Sequence, residues 1–273
     1  MNKCGNVNNI PAYNADNIPA CNTDNSFVYN ADNIPVYADE RIDDLQFKGM
    51  KIIQSENAFR FGTDSVLLAG FSNPSKSEKC IDLGAGTGVL SILLNARTGC
   101  RMTCAEIDSE QCGRMERSVI MNGQQNEIEI LNIDYIKEKK QLGAGKFDSA
   151  VCNPPYFKES GGIVSKNAEA THDISANIFE ITQAAAYLLK FGGKLFICFP
   201  ANALAELFAA LEKAKTEPKR LRFVASNPDS RPYLALVEAK KGGKRGLIVE
   251  KTLVIHTENG NYTDEVKKIY HEQ

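Results

Sequence analysis

The chain has 273 residues, of which 43% are hydrophobic and 24% charged, and its formal net charge is −2 at pH 7. This length suffices for one large domain with a self-supporting core, and the near-zero charge argues against a protein that coats long nucleic acids by charge alone. The apolar runs are short and the N-terminus is polar, so we expect neither a membrane span nor a signal peptide.

The eight cysteines form no CxxC pair. Those at positions 80, 104, 152 and 198 lie in apolar, strand-like runs, where cysteine behaves as a small buried hydrophobe. We therefore expect neither a metal site nor a disulfide framework, and we expect the protein to work in a reducing cytoplasm.

The N-terminal residues repeat an octapeptide pattern, seen in NIPAYNAD at 9–16 and NIPACNTD at 17–24. Each unit supplies few apolar groups for a core, too few to offset the entropy lost on ordering. The sequence therefore predicts a disordered tail over 1–40 and a single domain over 41–273, with the fold proper beginning near Asp43. A repeat expansion without function accounts for the tail more simply than a binding role does.

Strand-like and helix-like segments then alternate along the chain. The pattern predicts strands over 50–54, 79–83, 101–106, 127–131, 147–152 and 194–199, and helices over 63–71, 89–96, 109–122, 177–190 and 201–214. Three closing strands over 220–225, 233–240 and 247–256 follow without a long helix between them. Such alternation predicts a mostly parallel α/β sheet with helices on both faces, and the closing strands indicate an antiparallel edge.

A glycine-rich turn follows the strand at 79–83 and opens the next helix. Gly84, Gly86 and Gly88 let the backbone turn sharply and let a ligand approach closely, at the position where open α/β sheets bind their ligands. The third glycine of the dinucleotide fingerprint would fall at Val89. The carboxylate of Asp82 suits the cationic amino-acid part of S-adenosylmethionine better than a pyrophosphate. We therefore expect S-adenosylmethionine here; a tight turn without a ligand is the alternative.

Other polar residues lie where they could complete this cofactor site. Glu106 ends the next strand and could accept hydrogen bonds from both ribose hydroxyls, as it could in an NAD site. Asp134 follows the third strand and could bind the exocyclic amine of the cofactor adenine, or cap a helix. Thr63 and Asp64 could cap the helix that they begin, or close the pocket over the methionine end of the cofactor.

The motif Asn153-Pro154-Pro155-Tyr156 directly follows the strand at 147–152. The Asn153 side chain and the Pro154 carbonyl offer two acceptors for the hydrogens of a conjugated amine, whose lone pair would then point at a sulfonium methyl group. The Tyr156 ring could stack on a target base. Correct placement would provide most of the rate acceleration, and the reaction needs no metal.

These motifs resemble the Rossmann-like class I amino-methyltransferases, which act on adenines of DNA and RNA, on some rRNA guanines and on release-factor glutamines. A narrower resemblance is to the bacterial tRNA (valine) adenine-37 N6-methyltransferase family. It rests on the segments at 43–46, 51–54, 61–68, 151–157, 218–224 and 262–270, and it spans about residues 43–271.

The resemblance implies a cytoplasmic, monomeric enzyme that uses S-adenosylmethionine to methylate the N6 amine of adenine 37 in the anticodon loop of valine tRNA. A loop adenine is already partly unpaired, so it is cheap to flip. The segment 171–173 reads Thr-His-Asp where relatives often carry an Arg-His-Glu type sequence, which leaves a substrate contact there open.

A basic stretch at 213–222 is consistent with a nucleic-acid partner, although a solvated charged face is the default interpretation. Three other functions remain. A glutamine N5-methyltransferase acting on a protein shares the NPPY motif, but that family carries a separate helical N-terminal domain, and the segment here is partly strand-like. Another rRNA or DNA amino-methyltransferase would also share the motif. A non-catalytic nucleoside-binding module would not need it.

Overall fold

The computed structural model describes residues 27–29, 34–55, 62–155 and 178–270. The strands, in chain order, are β1 (Phe27–Tyr29), β2 (Pro35–Tyr37), β3 (Glu40–Asp44), β4 (Lys51–Ser55), β5 (Lys79–Leu83), β6 (Arg101–Glu106), β7 (Ile128–Asn132), β8 (Phe147–Cys152), β9 (Leu189–Pro200), β10 (Thr216–Ala225), β11 (Leu234–Lys241), β12 (Ile248–Val249) and β13 (Leu253–Val254). The helices are α1 (Thr63–Phe71), α2 (Val89–Thr98), α3 (Ser109–Met121), α4 (Lys139–Leu142), α5 (Ile178–Leu188), α6 (Leu204–Lys213) and α7 (Asp264–Tyr270).

A nine-stranded sheet forms the centre of the fold, in the order β7-β6-β5-β8-β9-β11-β10, with β12 and β13 both paired to β10. The strands from β7 to β9 are parallel, whereas β11 runs antiparallel to both of its neighbours. The prediction of a mostly parallel sheet with an antiparallel edge region is confirmed. Because β10 again runs parallel to β9, its carboxyl end lies at the same edge of the sheet as those of β5, β6 and β8.

Helices cover both faces of this sheet, as the alternating pattern predicts. One buried cluster joins Cys80 of β5 to apolar residues of α1, α2 and α3. The other cluster joins the next residue, Ile81, to apolar residues of α5 and α6. Successive strand residues point to opposite faces, so each parallel strand is buried on both sides. Within the described ranges, no helix combines the length and the apolar character that crossing a membrane requires.

Several element boundaries differ from the sequence-based expectation. Asp108 caps α3, because its side chain accepts a hydrogen bond from the backbone N–H of Glu110 at 2.8 Å. The helix expected over 177–190 ends at Leu188, and β9 begins at Leu189, before the strand expected from 194. The expected strand at 247–256 is two short strands, β12 and β13, which contact different parts of β10. The helices α4 and α7 were not predicted from the sequence pattern.

The N-terminal boundary of the fold also lies earlier than predicted. β1 pairs with β2 in antiparallel register, with Phe27 opposite Tyr37, and β3 begins at Glu40. The prediction of disorder over 1–40 is therefore wrong for these two strands and for Glu40. The residues at 1–26 and 30–33 lie outside the described part of the chain.

A buried ion pair explains why this segment is ordered. The Glu40 side chain is 2% exposed, and its Oε1 lies 3.1 Å from Nε of Arg114 while its Oε2 lies 2.5 Å from Nη1 of Arg117. The Arg117 guanidinium also stacks on the Tyr37 ring at 4.6 Å and donates to the Pro35 carbonyl at 2.9 Å. Because these contacts are ionic and polar, a count of apolar residues in the octapeptides does not reveal them.

We expect Glu40→Gln to destabilise the fold strongly. The substitution leaves the buried guanidinium of Arg117 without a compensating charge and leaves Arg114 only the exposed Glu110, and breaking a buried pair from one side costs roughly 3–5 kcal/mol. Urea denaturation of the full chain measures the effect. Glu110→Gln is the matched control, because Glu110 contacts the same Arg114 at 3.0 Å but its side chain is 76% exposed, and exposed pairs are worth about 0–1 kcal/mol. Equal unfolding midpoints for the two variants would show that Glu40 does not hold this segment.

Candidate active site

The predicted site residues meet at the carboxyl edge of the parallel strands. In the sheet register, Asp82 lies opposite Cys104 of β6 and Val151 of β8. The turn at 84–88, Glu106 and Asn153 therefore follow three adjacent strands at one edge, and Asp134 follows β7 beyond them. The structure thus brings together residues that are far apart in sequence.

The glycine turn has a backbone that only glycine adopts without strain. Gly84, Gly86 and Gly88 have φ angles of 74°, 56° and 84°, in the left-handed region that side chains rarely tolerate. A Cβ atom at Gly88 would lie 2.5 Å from Cγ of Met115, so this glycine also allows α2 and α3 to pack closely. A Cβ atom at Gly86 would meet no heavy atom within 4 Å. The turn therefore offers open space above Gly86, where a ligand can approach the backbone.

Glu106 links this turn to the start of α3. Its Oε2 accepts the backbone N–H of Gly86 at 2.7 Å, and its Oε1 accepts the backbone N–H of Asp108 at 2.9 Å. The residue is 8% exposed, and this burial raises the pKa of its carboxyl group although the two N–H groups oppose the shift. Each carboxylate oxygen keeps a further lone pair, so the group could accept hydrogen bonds from a ligand at the sheet edge.

Asp82 lies beneath the turn rather than on its surface. It is 1% exposed, and its Oδ2 accepts a hydrogen bond from the Ser91 hydroxyl at 2.8 Å. Desolvation raises the pKa of this carboxyl group to about 7, and the nearby charge of Glu106 adds to the shift. Asp82 would therefore attract a bound cation mainly through the charge of its carboxylate, which lies beneath the turn.

Asp134 closes a turn after β7 and does not cap α4, whose N-cap is Glu138. Its Oδ1 accepts the backbone N–H groups of Ile136 at 3.0 Å and Lys137 at 3.1 Å. Desolvation raises the pKa of this carboxyl group, but the hydrogen bonds from Lys137 and Ile136 outweigh it and hold the pKa below its usual value. The carboxylate is thus ionised at neutral pH and fixed at the end of β7.

Thr63 and Asp64 occupy the first turn of α1, but neither is its N-cap. That position belongs to Gly62, and no side chain at the N-cap bonds the helix. The Tyr233 hydroxyl lies 3.5 Å from Oδ1 of Asp64, which connects α1 to the start of β11. The capping alternative is therefore wrong for these two residues, and their side chains lie partly exposed at the site edge.

A column of aromatic rings supports this end of α1, and the sequence analysis did not anticipate it. The Tyr262 ring stacks between those of His256 and Tyr270, with centroid distances of 5.2 and 5.6 Å. Tyr270 in turn shares a hydrogen bond with the Thr63 side chain. The column therefore anchors α7 beside the site, and long-range ring stacking of this kind leaves no local sequence signal.

Asn153 is held by two side chains from distant parts of the chain. Its Nδ2 donates to the Ser65 hydroxyl at 2.8 Å, and the Cys198 thiol donates to its Oδ1 at 3.0 Å. Pro154 is buried and Pro155 is exposed. No local sequence pattern marks Ser65 or this role of Cys198. Tyr156, which was expected to stack on a base, lies outside the described residues, as does the loop at 157–177.

Two of the five cations in the basic stretch at 213–222 form ion pairs with carboxylates. Arg220 forms ion pairs with Glu238 and Glu250, both at 2.7 Å, and Arg222 pairs with Glu265 at 2.6 Å. These two arginines therefore bind carboxylates of the same chain, and those carboxylates compete with any phosphate for them.

Lys213 and Lys215 precede β10, at the opposite edge of the sheet. β10 begins at Thr216, which pairs with Lys241, and Lys240 pairs with Lys194. Lys194 lies beside Ser149, four residues before Asn153, or about 13 Å below the site at the rise of an extended strand. Lys213 and Lys215 are thus remote from the site edge, whereas Lys219 lies within β10, next to Arg220.

The site holds hydrogen-bond acceptors and buried carboxylates, but the described residues contain no group of three His, Cys, Asp or Glu side chains that could hold a metal ion. The open glycine turn and the Glu106 carboxylate fit a nucleoside whose ribose lies at the sheet edge. Asn153 fits an acceptor role toward an N–H donor beside that nucleoside. The arrangement therefore suits a transfer reaction that depends on placement.

Curated relatives of the chain are tRNA1(Val) (adenine(37)-N6)-methyltransferases. The one from Shewanella woodyi is 25% identical over 214 residues, which cover 75% of this chain and 87% of the relative. The one from Bacteroides thetaiotaomicron is 26% identical over 230 residues, which cover 83% of this chain and 95% of the relative. These names agree with the narrower resemblance that the sequence motifs indicate.

Solved structures and a family model give the same class. A predicted O-methyltransferase from Agrobacterium tumefaciens has a TM-score of 0.63 and 21% identity, covering 76% of this chain and 95% of that one. TYW2 of M. jannaschii in complex with AdoMet has a TM-score of 0.51 and 13% identity, covering 74% of this chain and 85% of that one. At these identities the likeness shows the fold. The family model described as "Methyltransferase small domain" matches residues 44–224, and the chain therefore belongs to that methyltransferase family.

Proposed function

We propose that this methyltransferase transfers a methyl group from S-adenosylmethionine to the N6 amine of an adenine in tRNA, at adenine 37 of valine tRNA. The observation that carries the proposal is the position of Asn153, one strand away from the glycine turn and two strands away from Glu106 at the same sheet edge. The names of the relatives support the choice of tRNA and of the base. A tRNA substrate also implies a cytoplasmic enzyme, and we propose that it acts as a monomer.

S-adenosylmethionine supplies an activated methyl group on a sulfonium centre. We assign its ribose hydroxyls to Glu106, whose oxygens lie at the open turn. We assign its adenine amine to Asp134, whose carboxylate is ionised and fixed by backbone N–H groups. Asp82 would favour the cationic end from beneath, and Thr63 and Asp64 would close over the methionine part. Gly84, Gly86 and Gly88 would let the cofactor approach the backbone.

The acceptor amine would be oriented by two carbonyl oxygens, those of the Asn153 side chain and the Pro154 backbone. An exocyclic amine of adenine is a weak nucleophile, because its lone pair is delocalised into the ring. Holding both hydrogens favours a pyramidal nitrogen whose lone pair points at the methyl group. Pro155 would stiffen the turn, and Tyr156 would stack on the flipped base. The amine proton can leave to water after transfer, so no histidine base is required.

Arg220 and Arg222 are paired with carboxylates, so we assign the RNA contacts to other cations. At the site edge the described residues include exposed Arg231, which lies in the connection from β10 to β11, and exposed Lys251 between β12 and β13. Because β10 ends at the same edge as Asn153, these cations are on the side that the substrate approaches. They are the charges that we assign to the RNA backbone.

A labelled methyl donor tests the function directly. Incubated with separate pools of tRNA, rRNA, DNA and protein, the wild-type chain should label tRNA, and a valine tRNA transcript with guanine at position 37 should take no label. Label in the protein pool alone would replace the proposal with a glutamine methyltransferase.

The Asn153→Ala variant should bind the cofactor normally but lose nearly all transfer, because one of the two acceptors for the amine is gone. Full activity in a folded Asn153→Ala variant would refute the mechanism.

Glu106→Gln should weaken S-adenosylmethionine binding by about 1–3 kcal/mol, the usual cost of removing a charged hydrogen-bond partner. Glutamine preserves the size of the side chain but has only one acceptor oxygen for the two backbone N–H groups of Gly86 and Asp108, so a melting curve accompanies the titration to show that the variant is folded. Calorimetric titration measures the change. Glu129→Gln is the matched control, because Glu129 is exposed on the neighbouring strand β7. Equal affinities for the two variants would remove Glu106 from the cofactor site.

Cofactor affinity should fall as the pH drops through 7. Desolvation raises the pKa of Asp82 to about 7, so below that pH more molecules start with a neutral carboxyl group, which cannot attract a cation. Binding must then release a proton, which for a single group costs up to about tenfold in affinity per pH unit. Asp82→Asn should bind more weakly at pH 8 and show a flatter profile from pH 5 to 8. An unchanged slope in this variant would assign the pH dependence to another group.

A further inference from the structure

The sheet edge opposite the site carries an exposed aromatic ring. Phe191 is the third residue of β9, and it is 83% exposed. The ring lies against Gly242, directly after β11, because a Cβ atom at Gly242 would collide with it. Gly242 has a φ angle of 67°, and its N–H donates to the Lys215 carbonyl at 2.9 Å. One side of the ring thus rests on a hydrogen-bonded turn, and the rest of it faces solvent.

Cations without a carboxylate partner lie around this ring. The segment at 240–245 reads Lys-Lys-Gly-Gly-Lys-Arg and contains no acidic residue. Cε of Lys240 would lie 3.7 Å from a Cβ atom at Gly192, the residue after Phe191. Four exposed cations of this region form no ion pair with a described carboxylate: Lys215, Lys240, Lys244 and Arg245. These four cations and Phe191 are called the Phe191 patch.

The combination of charge and ring fits RNA. A single exposed apolar side chain is ordinary on a protein surface, but a ring among unpaired cations offers both contacts that an unpaired nucleotide makes. The cations bind phosphates, and the ring stacks on a base. A second copy of the chain fits poorly, because pairing two such patches would bring like charges together.

The Phe191 patch lies far from the residues that act on the target base. A Cβ atom at Gly193 would lie 2.9 Å from the carbonyl oxygen of Asp148, which precedes Asn153 by five residues. Five residues of extended strand span about 17 Å, which is the length of roughly five stacked base pairs at ~3.4 Å each. An RNA stem that rises from the target loop is therefore long enough to pass the patch. The nucleotide that meets Phe191 lies beyond that stem.

We propose that the Phe191 patch is a second RNA-binding surface, which holds an unpaired nucleotide outside the anticodon stem-loop. The base stacks on Phe191, and the neighbouring phosphates contact Lys240 and Lys244. The inference rests on the proposed function, which supplies tRNA as the substrate. Such a contact adds affinity without touching the methyl-transfer chemistry, so it selects a whole tRNA over an isolated loop of the same sequence.

Two RNAs test this surface: the full valine tRNA transcript and its isolated anticodon stem-loop, each titrated in the presence of S-adenosylhomocysteine. The wild-type chain should bind the full transcript more tightly. Phe191→Ala should weaken that binding roughly 5–150-fold, the equivalent of one base–aromatic stack, and leave the stem-loop affinity unchanged. In methyl transfer the KM for the full transcript should rise while kcat stays the same. Phe191→Trp keeps a ring and should retain the preference.

The double variant Lys240→Gln with Lys244→Gln tests the charges. Loss of two phosphate contacts should flatten the salt dependence of binding to the full transcript, by about 0.7–0.9 in the log–log slope for each contact. The matched control is Lys51→Gln with Lys76→Gln, because both lysines are exposed on other parts of the fold. This control should leave the slope for the full transcript unchanged.

Ile248→Ala is the matched control for the ring. Ile248 is 64% exposed on β12, so its substitution removes exposed apolar surface outside the Phe191 patch. The proposal is overturned by a wild-type chain that does not prefer the full transcript, or by unchanged binding in Phe191→Ala. An equal loss in Ile248→Ala, or an equal loss for the stem-loop, overturns it as well. Failure of the wild-type chain to methylate valine tRNA would instead overturn the proposed function.

Discussion

The Glu106 carboxylate bonds the backbone of two different strand-end turns, and the site depends on this contact. It accepts from Gly86 in the turn after β5 and from Asp108 at the start of α3. A left-handed glycine turn has few intrinsic restraints, because glycine loses much conformational freedom when it is ordered. A single buried acceptor between the two turns supplies the restraint. The same oxygens then lie where a ribose would bind, so the group that shapes the turn also faces the ligand.

Burying carboxylates at this edge removes their hydration and destabilises the folded state, and other interactions in the fold must offset this loss. Asp82 and Glu106 are both largely removed from water, and burial raises the pKa of each. Parallel strands covered by apolar clusters on both faces provide the stabilisation that tolerates this cost. A cationic ligand would relieve part of the repulsion between the two groups. The two carboxylates therefore repel each other, and a positively charged cofactor would reduce this repulsion.

Most of the central sheet could be predicted from sequence, because its strands are short apolar runs bounded by turns. The helix α1 and the strands β5, β6 and β8 have the predicted bounds. The site followed from the rule that ligands bind at the carboxyl ends of such strands. The sequence-based predictions failed where a residue's stabilising partner is distant in sequence. Glu40 meets Arg114 and Arg117 only through the tertiary fold, and Arg220 appears free until β11 brings Glu238 beside it. Ser65 likewise has no local pattern that links it to Asn153.

The six described cysteines are alike in their burial, which affects how readily oxidants damage the protein. All of them are buried and unpaired, and burial raises the thiol pKa of Cys80, Cys100, Cys104, Cys112, Cys152 and Cys198. Oxidants attack the exposed thiolate and not the buried thiol. Peroxide should therefore spare these sulfurs for as long as the core stays closed. Damage at Cys198 would require the sheet edge beneath Asn153 to open first, so the chemistry of the site is protected by the same packing that supports it.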